Sequence, residues 1–146
     1  MAANTRFAVA LHALTALAWL GEERTSEELA RGTVNTNPVV LRRILARLVK
    51  AGILEAQPGN RGGFRLARAP RTIDLAGVYR AVEGEEGLLG IHANPEVKTC
   101  PVSCAIRPVL DDLFREAEAA LARSLAGKRL SDLVERIPSA ARGGRV

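Results

Sequence analysis

The side chains with the most chemistry to offer fall in two places. Cys100 and Cys104 are the only thiols in the 146-residue chain, separated by three residues in KTCPVSCAIRPVL, with His92 shortly before them. Thiolates attack oxidants and electrophiles and bind soft metals. The second place is cationic. Residues 36–71 hold Arg42, Arg43, Arg47, Lys50, Arg61, Arg65, Arg68 and Arg71 against a single acid, Glu55, a local charge of +7. Residues 1–35 and 72–146 each sum to −1, so the net charge of +5 hides one strongly positive segment on a near-neutral body. Such a concentration suits a polyanion, nucleic acid above all. A basic helix is also often just a solvated face, so the local structure of these residues decides.

Asn37-Pro38 reads as a helix start: Asn caps free backbone N–H groups, and Pro fits the first helical position. Leu41, Ile44, Leu45 and Leu48 then form one apolar stripe, leaving Val39, Arg42, Arg43, Ala46, Arg47 and Lys50 on the other side. Gly52 ends the helix. Ile53 to Gln57 reads as a short strand, residues 58–63 (PGNRGG) as a turn, and Phe64 to Leu66 as the returning strand. Upstream, Thr25 with Glu28 matches a capping box opening a short helix to about Arg31, and Gly32 to Thr36 is the turn. Short helix, turn, basic helix and arginine-bearing hairpin make a winged helix-turn-helix whose second helix enters the major groove. The residues expected to meet DNA are Asn37, Val39, Arg42, Arg43, Arg47, Lys50, Arg61, Gly62, Gly63 and Arg65. An interaction module binding RNA or an acidic protein is the alternative of another class.

The expected fold is mainly α with a small β-hairpin: a winged helix-turn-helix domain over residues 1–84, a cysteine-bearing loop over 85–104, a long dimerisation helix and a short terminal helix over 105–138, and a disordered tail over 139–146. Hydrophobic content of 47% is ample for a core, and aromatics at 3% make that core aliphatic. No run approaches the 18 apolar residues of a membrane span. His12 and Thr15 interrupt the N-terminal apolar run, which reads as a first helix with Phe7, Leu11, Leu14 and Ala18 at core spacing rather than as a signal peptide. A cytoplasmic protein follows, in which two cysteines do not make a permanent disulfide. Residues 74–82 read as a helix ended by Gly84.

From about Ala105 to Ala126, Ile106, Leu110, Leu113, Ala117, Ala120 and Leu121 step mainly by four and three. A winged-helix body is too small to bury a helix of that length, so a second copy of the chain is the economical partner, with Ile106, Leu110, Leu113, Ala117 and Leu121 as the dimerisation stripe. Ser131 then caps a last helix, Asp132 to Ile137, with Leu133, Val134 and Ile137 facing inward.

RFAVALHALTALAWL, NTNPVVLRRILARLVKAGIL, GNRGGFRLAR and IDLAGVYRAVEG closely resemble successive signatures of the Rrf2 family of bacterial transcriptional regulators, from about Arg6 to Ile137. The resemblance implies a homodimeric winged helix-turn-helix repressor or activator, with Asn37 to Lys50 as recognition helix and Arg61 to Arg65 as wing. Many family members bind an iron–sulfur cluster through three cysteines before the long helix. This chain departs from that pattern: it has two cysteines, closer together, and Arg107 where some cluster-binding members carry histidine. It looks more like the cluster-free branch.

The thiols keep three readings open. Pro101 can start the long helix, which places Cys100 at its N-cap near Lys98, where helix dipole and cation favour thiolate, and Cys104 one turn on; this suits redox sensing. Both can instead be inert packing residues. A metal or iron–sulfur site would draw on Cys100, Cys104, His92 and, more remotely, His12, a residue more often found simply satisfied on a helix. Two histidines and no phosphate-binding glycine loop argue against an enzyme.

Overall fold

The computed structural model describes residues 4–59 and 62–138. Helix α1 (Arg6–Leu20) leads to α2 (Ser26–Leu29), a wide π-type turn (Ala30–Val34), α3 (Pro38–Lys50), strands β1 (Leu54–Ala56) and β2 (Phe64–Leu66), then α4 (Leu75–Glu83), α5 (Pro101–Ala126) and α6 (Leu130–Glu135). The expected architecture is present: mainly helical, with one antiparallel hairpin and a long C-terminal helix. The tail at 139–146 and the wing-tip Arg61, both given roles above, lie outside the described residues.

The core is aliphatic, built on Leu14, Leu29, Leu41, Leu45, Leu48, Leu54, Ile73, Val78 and Val82, all fully buried. Burying each such side chain contributes about 1.5–3 kcal/mol. In α1 the buried set is Ala10, Ala13, Leu14 and Leu17, while Phe7, Leu11 and Ala18 pack at its margin. The shift from the expected stripe has a physical reason: α3, α4 and α6 all pack on α1, and the alanines let them come close.

Thr25 and Glu28 form both bonds of the capping box, at 2.7 and 3.1 Å. The α-helix then stops at Leu29 rather than Arg31. Gly32, Thr33 and Val34 are poor helix formers, and the chain widens into the π-type turn before Asn35 takes a left-handed conformation at φ 55°. In α3 the Asn37 side chain accepts from the Val39 N–H at 2.8 Å, Pro38 is the first residue, and Leu41, Ile44, Leu45 and Leu48 are the buried positions. Gly52, at φ 71°, permits the closing pair Gly52 N–H to Val49 carbonyl and Ile53 N–H to Leu48 carbonyl, both 3.0 Å. The strand itself is Leu54–Ala56, but cross-hairpin bonds continue at both ends of the expected Ile53 to Gln57, from the Ala67 N–H to the Ile53 carbonyl (3.0 Å) and from the Gln57 N–H to the Gly63 carbonyl (2.8 Å).

The hairpin pairs Leu54 with Leu66, Glu55 with Arg65 and Ala56 with Phe64. It has a further backbone partner that periodicity did not show. Arg24 exchanges two hydrogen bonds with Phe64, at 2.7 and 3.1 Å. Gly63 makes this approach possible, since a Cβ there would lie 2.6 Å from the Arg24 carbonyl oxygen.

Helix α5 begins at Pro101, so the preceding loop ends at Cys100 and Cys104 lies inside the first turn, earlier than a boundary at 105. Ser131 is not the cap of α6. Arg129 occupies that position, its N–H donating to Asp132 at 2.8 Å. Backbone bonds from Leu75 to Lys128 (3.0 Å) and from Leu130 to Ile73 (2.9 Å) stitch this segment to the start of α4. They draw Leu130 into the core, leave Leu133 and Val134 half-buried, and leave Ile137 exposed.

Candidate nucleic-acid interface

Helix α3 buries one side so completely that its other side must face solvent. Val39, Arg42, Arg43 and Lys50 are exposed there. Asn37 and Val39 sit at the N-terminal end, the part of a recognition helix that reaches base edges. Arginine can donate two bonds to guanine, and a valine methyl can meet the methyl of thymine. Among the described residues neither Arg42 nor Arg43 has an ion pair or a side-chain hydrogen bond, so their charge is directed outward.

Two other cations of the expected set are held within the protein. Arg47 donates from its guanidinium to the Val82 carbonyl at the end of α4. Arg65 pairs with Glu55, its directly opposed partner in the hairpin, at 2.8 and 2.9 Å. The positive segment is therefore partly compensated on the wing, a pairing visible only once the register is known. Gly62 is sterically required, because a Cβ there would lie 2.0 Å from the Gln57 carbonyl oxygen.

Helix α5, 26 residues long, contains no buried residue. Its apolar positions fall on two faces about 100° apart, which the single stripe of the sequence merges. Leu110, Phe114, Leu121 and Leu125 are half-buried on the side of α4, with Glu118 among them. Val102, Val109 and Leu113 are 67, 61 and 55% exposed on the other face, with Ala117 exposed and Ile106 half-buried between the two. Phe114, outside the expected stripe, is also a contact residue.

Glu118 fastens the inner face. It accepts from the Tyr79 hydroxyl and from the N–H groups of Leu88 and Leu89, at 2.7 and 2.9 Å. Burial alone would raise its carboxyl, but the donors of Tyr79, Leu89 and Leu88 hold it below the usual carboxylate range. Burial and the neighbouring carboxylate push Tyr79 up to about 12. Gly87, at φ 64°, leaves room for this carboxylate, since a Cβ there would come within 2.9 Å of it.

Cys100 occupies the N-cap of α5, half-buried and free, without a side-chain capping bond. Cys104 is exposed, and its thiol donates to the carbonyls of Val97 and Lys98 at 3.7 and 3.8 Å. His92 presents its backbone carbonyl to Arg107 at 3.0 Å. His12 lies elsewhere, in a shallow apolar groove with Trp19, Leu20, Thr33 and Ile137. No group of three or more His, Cys, Asp or Glu side chains converges among the described residues.

No helix among the described residues is long and apolar enough to cross a membrane. The sequence model of the Rrf2 family, described as an iron-dependent transcriptional regulator, matches residues 3–136. The chain is 41% identical over 134 residues to the HTH-type transcriptional regulator YwnA of Bacillus subtilis, covering 92% of this chain and 98% of that protein. A solved structure described as a DNA binding protein is 39% identical, covers 88% of this chain and 97% of its own, and superposes with a TM-score of 0.65. The B. subtilis cysteine regulator CymR, 19% identical, covers 94% and 99% with a TM-score of 0.65 and shares the fold. With its capped recognition helix, paired wing and long C-terminal helix, the chain belongs to the Rrf2 family and is a DNA-binding transcription regulator of winged helix-turn-helix fold.

Proposed function

We propose that the protein works in the cytoplasm as a homodimeric repressor, gripping an operator in duplex DNA and releasing it when its thiols are oxidised or alkylated. The observation that carries the DNA contact is the pair Arg42 and Arg43, exposed and without side-chain partners among the described residues, on a helix whose start is capped and whose opposite face is buried. Asn37, Val39, Lys50 and the wing glycine Gly62 extend the contact surface, and Arg61, outside the described residues, is the further cation that the sequence offers; Gly63, expected at the DNA face, is buried against the Arg24 backbone and takes no part. Arg65 adds less, because Glu55 already answers its charge.

The outer face of α5 supports the dimer. Val102, Ile106, Val109, Leu113 and Ala117 recur at steps of four and three on a helix that its own domain covers on one side only. Two such helices packed together place two recognition helices to meet half-sites about 34 Å apart, one turn of DNA. The thiols lie at the start of that same helix. A charge or adduct there shifts α5 against the DNA-binding body and spoils the spacing. Cys100 is the thiol proposed to respond, since it occupies the N-cap of α5 without a side-chain bond, whereas the Cys104 thiol already donates to the carbonyls of Val97 and Lys98. The family's description as an iron-dependent regulator makes a metal or cluster the competing reading, and among the described residues no group of three or more His, Cys, Asp or Glu side chains converges to hold one.

The deciding measurement is affinity for a duplex selected from a random pool against affinity for unselected duplex, at physiological salt. A specific regulator shows a ratio of about 10³ or more. A ratio near one, with tight binding to RNA or to an acidic protein, overturns the reading.

A further inference from the structure

Arg47 lies on the exposed side of the recognition helix, yet its guanidinium is turned back onto the protein, onto the Val82 carbonyl. That carbonyl belongs to the last turn of α4, where backbone oxygens have no partner within the helix and carry the negative end of its dipole. A cation is the natural cap there. Arg47 is also in the last turn of α3, away from the N-terminal end that reaches base edges.

The same end of α4 gathers side chains from two further helices. Glu83, fully buried, accepts from Arg6 at 2.9 Å and from Asn4 at 2.7 Å, at the start of α1. One turn back, Tyr79 donates to Glu118 of α5. The C-terminal half of α4 is thus a junction at which polar side chains fasten α1, α3 and α5. Among the described residues, the Arg47 link is the one that reaches the recognition helix by a side chain with a competing use for its charge.

We propose that Arg47 is a positioning residue rather than a DNA contact: through the Val82 carbonyl it sets the recognition helix against α4, and the Tyr79–Glu118 bond ties the same helix to α5. This rests on the DNA-binding function proposed above. It assigns α4 as the connector between the helix that bears the thiols and the helix that meets DNA. Movement of α5 then changes DNA affinity without any contact between α5 and DNA.

The test compares Arg47→Ala, Arg47→Gln and Tyr79→Phe with the wild type in two measurements. The first is amide hydrogen exchange of residues 47–51 in the DNA-free protein. The second is the slope of log affinity for the selected duplex against log salt. A positioning role has Arg47→Ala speeding that exchange by about tenfold or more and weakening DNA binding about 10- to 100-fold with the salt slope unchanged. Arg47→Gln, which keeps a side-chain donor without the charge, recovers part of the protection. Tyr79→Phe speeds exchange of the same residues although its hydroxyl faces α5. A phosphate contact instead has both Arg47 variants lowering the slope by about 0.9 with exchange unchanged, and that result overturns the proposal. If the wild type shows no preference for any duplex, the DNA-binding function fails, and the exchange measurement still decides whether Arg47 holds α3.

Discussion

Tyr79 of α4 donates its hydroxyl to Glu118 of α5, a residue 39 positions further along the chain, and Glu118 also accepts from two backbone N–H groups of the loop between them. One carboxylate therefore closes the chain from α4 to α5. Glu118→Ala would leave three donors without their acceptor, which costs about 1–3 kcal/mol. Thermal unfolding should show a midpoint lower by several degrees, and an unchanged midpoint would remove the carboxylate's fastening role. The pH dependence has a definite sign. Because the folded carboxyl lies below its ordinary value of 4.5, its stabilisation is present above that value and lost as pH falls through the lower folded one. Glu118→Gln should flatten the acid limb of stability against pH.

Tyr79 is the only tyrosine in the chain, so phenolate absorbance reports it alone. Its folded value of about 12 means that the protonated form is favoured by folding. That stabilisation is complete below about pH 10 and lost as pH rises toward 12. An alkaline titration should show no phenolate in the folded protein until well above pH 10, and a midpoint near 10 in urea. Coincident midpoints would contradict the buried bond.

On the DNA face, Arg42→Ala or Arg43→Ala should each cost about 1–3 kcal/mol and relax specificity at one base position. Arg61→Ala should weaken binding to all sequences alike and flatten the salt dependence, as loss of one phosphate contact does. Titrations against the selected duplex and single-base variants check both. Unchanged affinity in all three variants would remove α3 as the recognition helix.

For the dimer, Leu113→Asp places a charge without a partner in the outer face of α5. Sedimentation should show a monomer or aggregate, with operator binding lost together with the dimer. A folded wild-type monomer at micromolar concentration would sink the assignment.

For the signal, oxidants or electrophiles should modify Cys100 faster than Cys104 and weaken operator binding about 5- to 150-fold. Cys100→Ser should bind normally and ignore the reagent, whereas Cys104→Ser should still respond in part. Mass spectrometry of the modified protein, read beside the binding curves, tests this. Release of DNA by oxidised Cys100→Ser, or stoichiometric iron and sulfide in anaerobically purified protein, would overturn the thiol switch.

What the amino-acid sequence determined by itself is the structure set within a turn or two of chain. The Thr25–Glu28 box, the Asn37-Pro38 start, the Leu41–Leu48 stripe and the left-handed Gly52 each depend on residues a few positions apart, so their types and spacing suffice. The family signatures rest on the same local patterns. The tertiary structure alone decided which charges remain free. Arg65 is paired with Glu55, and Arg47 donates to the Val82 carbonyl, 35 residues away, contacts that the sequence does not show. It also split the apolar positions of α5 between α4 and solvent, and moved the start of α6 to Leu130 through backbone bonds with Ile73 and Leu75. Such contacts join segments far apart in sequence, as Arg6 and Glu83 are joined across 77 residues, and each depends on where the helices pack. Periodicity shows that a face is apolar or charged; only packing decides what that face meets.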